Sequence, residues 1–449
     1  VCNFGDSAGI QPKKRIPGHN FGFQEAEKRV TMATKSTAPI TAPSSPNYTG
    51  PFIIVTALFF IFGFITNLNM AMVPHLRHVF NLEYGPAMLA ESAFFLAYFV
   101  FSAPTGKLIE TIGYKRTMVV SLFIQVVGAL LFIPAAKLTN FPLFLTASFV
   151  IGAGVTALQT SANPYISILG PEKSAPVRLN LAQAANSIGG TIAPLIAGAF
   201  ILSDPAKLLS PAGIADTVRV PYLLIAGGLL ILGLAVAFIH LPHVTATQSF
   251  RPAKEGDPIL SRSIWGYRHT VLGALGIFLY VGVEVGLASI MVNYFSTQGV
   301  SSAKVASSLI AFYWGGALVG RLLGAWLVSL IPSGRLLGIF GLAATVMVLI
   351  SMVTTGQVAI WALILCGFFN SIMFPNIFTL GIVGLGPLTS KGSGLIMTAV
   401  VGGAVVPYVF GKLADHVGIQ HAFVIPIFCY LFIAYYGLIG SRPTRTVTA

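Results

Sequence analysis

Residues 220–239 read VPYLLIAGGLLILGLAVAFI, and residues 338–353 read GIFGLAATVMVLISMV. Neither stretch alternates apolar with polar residues and neither keeps a polar stripe; both are apolar all round. Twenty such residues at about 1.5 Å each cover a hydrocarbon slab of roughly 30 Å. A barrel strand would alternate over about ten positions, so both stretches are read as membrane helices. Working outward, the pattern repeats from Pro51 to Gly440. It predicts twelve spans, at 51–74, 87–108, 117–136, 141–168, 179–202, 221–240, 270–292, 305–330, 336–354, 358–381, 392–411 and 421–440.

Composition agrees. Hydrophobic residues make up 55% of the 449 and charged residues 9%, against about 25% charged in an ordinary globular protein. Mean hydropathy is +0.83. Twelve crossings leave only short connections and no room for a large soluble domain. The 47 glycines and 27 prolines suit a helical bundle in lipid, where glycine lets helices approach and neighbouring groups satisfy the backbone freed by proline. The predicted fold class is an all-α membrane protein of twelve transmembrane helices.

The net charge of +13 is read through its placement. With the N-terminus inside, twenty basic residues fall on the cytoplasmic side, Arg321 and Arg335 being counted with its loops, while Arg77, Lys137, Lys207, Arg219, Lys304 and Lys412 fall outside. The positive-inside bias therefore predicts an inner-membrane protein with both termini cytoplasmic, and anionic lipid headgroups account for the excess without nucleic acid. Residues 1–50 are expected to be a disordered cytoplasmic tail, basic and then rich in Ser, Thr and Pro. No apolar leader with a cleavage site is seen there, so the first span is expected to direct insertion. The longest internal connection, 241–269, separates an N-terminal half (51–240) from a C-terminal half (270–440), and 441–449 form a second cytoplasmic tail. Cys2, Cys366 and Cys429 are too dispersed for a disulfide framework, and His75 and His78 have only Glu83 nearby. No metal, cofactor or enzyme chemistry is predicted, since neither a nucleophile–base–orienter set nor a phosphate loop is present.

The junction GKLIETIGYKR at 106–116 is echoed by Gly320-Arg321-Leu322 and, more weakly, by GKLADHVG at 411–418. Two related halves suit alternating access around a central site. Inside the spans, Asn67, Asn69, Gln159, Asn163, Gln183 and Asn186 bring paired donors and acceptors without charge. Such amides suit sugar hydroxyls, or alternatively hydrogen bonds between helices. Tyr313, Trp314, Phe368 and Phe369 could face a pyranose ring or fill the core; Asn370 and Asn376 add amides to the second half. Glu91 and Glu284 are acids within spans, costly in hydrocarbon and therefore candidate ion-coupling groups, Glu284 before Glu91.

The segments GFITNLNM (63–70), LQTSANPY (158–165), RLNLAQAANS (178–187) and FPNIFTLG (374–381) together resemble the fucose/glucose/galactose permease branch of the major facilitator superfamily. The resemblance covers roughly 51–440 and implies a twelve-helix fold of two six-helix halves. It implies sugar contact by Gln159, Gln183 and Asn186 above all, and by Asn67. It also places the tenth span, with Asn370 and Asn376, beside the cavity between halves. Proton-driven fucose permeases carry an acid after Asn-Leu-Asn and another where Gln159 stands; this chain has Met70 and Gln159, so their carboxylate mechanism does not transfer. Lys107, Glu110, Lys115, Arg116 and Arg178 are expected to form a cytoplasmic gate of reversible salt bridges. The leading expectation is a permease for a neutral hexose such as glucose or galactose, working as a uniporter and a monomeric transport unit in the lipid. The alternative is a proton- or sodium-coupled symporter of a hexose or N-acetylglucosamine. A membrane sensor or scaffold is a third reading, with no output surface of adequate size.

Overall fold

A computed structural model of the chain describes residues 48–71, 84–196, 211–239, 241, 262–300 and 303–443. His75 and His78, nearly all of the expected N-terminal tail and most of the 241–269 linker lie outside these residues. The described part of the chain from Tyr48 onward forms one compact unit, helical throughout the described residues.

In the first half, α1 is Thr49–Ala71, α2 Tyr84–Lys137, α3 Phe141–Ile168, α4 Ala175–Ile196 and α5 Pro211–Phe238. In the second, α6 is Arg268–Thr297, α7 Ala303–Leu330, α8 Ser333–Val353, α9 Gly356–Asn370, α10 Met373–Ile382, α11 Thr389–Thr398 and α12 Gly402–Val417. The last crossing begins with the single turn α13, Ile419–Ala422, continues as α14, Val424–Tyr435, and ends in a π turn at Tyr436–Gly440. Ten of the described helical stretches are long and apolar enough to span a bilayer. One of them, 92–137, crosses twice, and the amide-rich α4 supplies the remaining crossing.

Several boundaries follow from local chemistry. Asn140 caps α3, its side chain accepting from the Leu143 amide at 2.9 Å, and Pro142 occupies the first turn, where its missing N–H costs nothing. The loop expected at 109–116 is instead helix on both sides of one residue, Gly113, with φ 81° and ψ 168°. Gly418, at the matching place in the 411–418 echo, has φ 82° and ψ 156° and separates α12 from α13. That backbone region is open essentially to glycine alone. The echo is therefore a shared turn device, used at two different junctions.

Within each half the helices pack closely, α2 against α3 and α5, α1 against α4, α6 against α12, and α7 and α8 against α9. Small residues permit this: a Cβ on Gly152 of α3 would lie 2.8 Å from the Phe94 carbonyl oxygen of α2. The halves meet chiefly through α2 with α11 and α4 with α7. The described hydrogen bonds between them cluster toward the face bearing the basic junctions. Ser390 donates to Glu110 Oε1 at 3.0 Å, Ser393 to the Thr160 carbonyl at 2.8 Å, and Asn180 Nδ2 to Asn376 Oδ1 at 3.2 Å. The bundle is thus closed on the cytoplasmic side.

A Cβ added at Gly113 or at Gly418 would meet no neighbour within 4 Å, so an alanine there would suffer backbone strain alone. Gly113→Ala and Gly418→Ala should each lower stability by about 1–3 kcal/mol. Gly227→Ala, in an ordinary helical turn with equally open surroundings, should leave the melting temperature in detergent unchanged or raise it. Equal melting temperatures for all three variants would contradict the assignment of these turns.

Candidate functional site

The first half brings its amides together through α1 and α4. A Cβ on Gly63 of α1 would lie 2.7 Å from Asn186 Nδ2 of α4, and one on Gly190 of α4 would lie 2.6 Å from Asn67 Nδ2 of α1. Gly-x-x-x-Asn on one helix thus faces Asn-x-x-x-Gly on the other, and each glycine makes room for the opposing amide. Asn186 Nδ2 donates to the Phe59 carbonyl at 3.4 Å and Asn67 Nδ2 to the Gly63 carbonyl at 3.0 Å. Both side chains stay half-buried, with acceptor capacity left over. Asn69 lies in α1, but its side chain is outside the described set.

Gln159 of α3 is buried and donates through Nε2 to the Tyr98 hydroxyl of α2. Tyr98 is in turn braced by Phe94 and Phe95, with ring centroids 6.0 and 6.3 Å away. Sequence reasoning passed over Tyr98; only its place among apolar residues of a span could have marked it. Gln183 is buried on α4 with its carbonyl toward the second half. Asn163 is fully buried against α11, its Nδ2 3.6 Å from Met397 Sδ and its Oδ1 without a hydrogen bond.

In the second half, Asn370 donates to the Tyr313 hydroxyl at 2.8 Å, and both are buried. Trp314 packs edge-on to Tyr313 at 5.3 Å but is itself exposed. Phe368 and Phe369 close on Phe340 of α8 at 5.8 and 5.5 Å and on each other at 5.4 Å. Asn376 is fully buried in the cytoplasmic seal, where Asn180, a residue not singled out from the sequence, holds it.

The charged groups are redistributed most. Arg321, counted from the sequence with the cytoplasmic loops, sits inside α7 and is buried between the halves. The reason is packing: Lys107 also lies within its helix but is exposed, whereas α7 meets α4 of the other half at Arg321. Arg321 donates to the Ser187 hydroxyl, to the Gln183 carbonyl at 3.5 Å and, from Nε, to the Ser371 carbonyl at 3.4 Å. Glu284 is half-buried on α6, within electrostatic reach of Arg321 and Tyr313 and one turn beyond Tyr280. The Tyr280 hydroxyl faces it without closing a bond of standard geometry. The Glu91 side chain lies outside the described residues.

Of the five expected gate residues, Glu110 crosses between halves, and its observed cross-half partner is the Ser390 hydroxyl. Arg178 instead ties the end of α3 to the start of α4. It donates to the Ile166 and Pro171 carbonyls at 3.0 Å each, to Ser174 Oγ at 2.5 Å and to the Ser167 carbonyl. Burial at this loop end holds its guanidinium down to about 10, still charged at neutral pH. Lys115 donates to the Ala237 carbonyl of α5 at 2.8 Å, and Lys107 and Arg116 are exposed. Among the described residues no group of three or more His, Cys, Asp or Glu could hold a metal ion.

The profile of the Major Facilitator Superfamily matches residues 54–406. A glucose/galactose transporter of Brucella abortus biovar 1 (strain 9-941) is 46% identical over 405 residues, covering 89% of this chain and 96% of the relative. The L-fucose-proton symporter of Escherichia coli (strain K12) is 33% identical over 423 residues, covering 89% and 95%. The crystal structure of the transporter FucP in the outward conformation superposes with a TM-score of 0.78 at 34% identity, covering 87% of this chain and 98% of that one. The chain belongs to the Major Facilitator Superfamily, in its fucose and glucose/galactose transporter branch.

Proposed function

We propose that this sugar permease carries a neutral hexose or deoxyhexose inward in symport with a proton, and that the Glu284 carboxyl carries the proton. The observation that carries the coupled reading is Glu284 itself, an acid in the interior of a membrane helix, half-buried and with Arg321 in electrostatic reach. A purely passive carrier has no need of so costly a pair. The name of the Escherichia coli relative, a proton symporter, supports the same reading. Uniport, the first expectation from the sequence, gives way to its coupled alternative.

The sugar is held by neutral amides on the first half. Asn67 and Asn186 keep acceptor oxygens free beside the α1–α4 contact, and Gln159 presents a carbonyl while Tyr98 holds its amide. Hydroxyl groups can both donate to and accept from such a set without a charge being desolvated. Asn163, Asn180 and Asn376 belong instead to the closure beneath the site, since all three are buried where the halves touch. Met70 and Gln159 occupy the two positions at which fucose permeases carry acids, so the proton has moved to the second half, and sugar and proton occupy opposite walls.

Gln159→Ala and Asn186→Ala should each weaken galactose binding by about tenfold, the equivalent of roughly 1.4 kcal/mol. Correctly inserted variants with unchanged binding isotherms would remove these amides from the site. In sealed vesicles, an inward proton gradient should drive uptake of one or more of glucose, galactose and fucose above its equilibrium level, with an alkaline shift outside. Glu284→Gln should abolish that accumulation while sugar exchange continues, because exchange cycles a loaded carrier. Accumulation driven by sodium and indifferent to pH would reject the proton, and equilibration without accumulation would restore uniport.

A further inference from the structure

Arg321 is a buried cation whose observed hydrogen bonds all go to neutral oxygens. Two of these, the Ser187 hydroxyl and the Gln183 carbonyl, belong to α4 in the opposite half; the third, the Ser371 carbonyl, belongs to its own half at the break between α9 and α10. Glu284 is in its electrostatic reach, on α6 of the same half, yet none of these three bonds goes to its carboxyl. A guanidinium at 9% exposure is thus bonded to the half that moves relative to it, and left apart from the acid that moves with it.

Opening the cytoplasmic face requires α4 and α7 to separate there, since they form one of the two main contacts between halves. That motion takes Ser187 and Gln183 away from Arg321 and leaves Glu284 in place. A buried guanidinium deprived of acceptors is costly, and a carboxylate is the strongest acceptor within reach. We propose that Arg321 is an exchangeable latch, bonded to Ser187 and Gln183 while the cytoplasmic face is closed and paired with Glu284 once it opens, so that opening expels the proton from Glu284. In that step the O–H bond of the carboxyl breaks, its electron pair stays on the carboxylate, and the proton passes to water on the cytoplasmic side. The guanidinium N–H groups then donate to the carboxylate oxygens. The other titratable groups facing Glu284 are Tyr280 on its own helix and Tyr313 on α7, with Cys366 of α9 and Tyr430 of α14 behind them. Phenols and thiols are neutral near pH 7, so the guanidinium is the charge that decides whether the proton stays.

This latch rests on the symport reading and adds to it a positioning residue that acts through Glu284. The full chain would be reconstituted in liposomes with an entrapped pH dye and assayed with radiolabelled galactose. Arg321→Gln should bind and exchange galactose, while galactose-coupled proton entry and uphill accumulation fall by about tenfold or more. Ser393, buried in the cytoplasmic seal against Thr160, supplies a second readout. In a Ser393→Cys background, labelling by an impermeant maleimide from the cytoplasmic side should rise with pH. Arg321→Gln and Glu284→Gln should each flatten that pH dependence, and Ser187→Ala should raise labelling at every pH. If Arg321→Gln does not insert, Arg321→Lys and Ser187→Ala carry the same test, the lysine variant keeping the charge but losing part of the coupling. A wild-type chain in which none of glucose, galactose and fucose drives proton entry overturns symport and latch together; if galactose is inactive, the assays use whichever of the three does. Coupled transport and pH-dependent labelling that survive in Arg321→Gln or Arg321→Lys overturn the latch and leave symport standing.

Discussion

Hydrocarbon offers no hydrogen-bond partner, and this one constraint organises the molecule. Polar groups carried into the bundle are met mostly by groups of the same chain, and the longer amides and charges among them mark places where two helices meet. Ser and Thr side chains inside the helices mostly return to the carbonyl one turn back, as Ser102 does to Tyr98 at 2.6 Å and Thr345 does to Gly341 at 2.9 Å. The longer side chains cannot always do so. They reach across to neighbouring helices.

Two kinds of cross-helix bond result. Within a half, the Tyr98–Gln159 and Tyr313–Asn370 bonds join neighbouring helices and hold their side chains in place. Between halves, the bonds are single and mostly neutral: Ser390 with Glu110, Ser393 with the Thr160 carbonyl, Asn180 with Asn376. Each such bond contributes about 0.5–1.5 kcal/mol net, so these contacts between the halves are individually weak. Asn180 Oδ1 and Asn376 Nδ2 remain without partners beside their shared bond, which further lowers the cost of separating them. Arg321 stands apart as the buried cation of this interface.

The class of the protein is legible because apolar length is a property of each segment alone. The stretch 141–168 reads as a span and is one helix with those bounds, its start marked by Asn140 and Pro142. The family resemblance is equally local, carried by four short strings that need no partner to be read. Asn67 and Asn186 can be selected as polar residues in apolar spans, and the structure does bring their two helices together. The reciprocity of Gly63 and Gly190 cannot be read in the same way, because the space beside a glycine belongs to whichever helix arrives there.

The sequence by itself therefore determined solvent, helix number, family and the stock of uncharged polar groups inside the membrane, since those follow from residue type and spacing. Tertiary structure alone decided on which side of an interface each group falls. Arg321 reads as a loop cation by analogy with Lys107, and both lie within their helices, yet α7 turns Arg321 toward α4 of the other half while Lys107 is exposed. Asn376 reads as an amide of the second half, and its bond to Asn180, 196 positions away in the chain, joins it to the first. The physical reason is that a helix presents every residue on some face, and only the packing of distant helices fixes which face meets lipid, substrate or the other half.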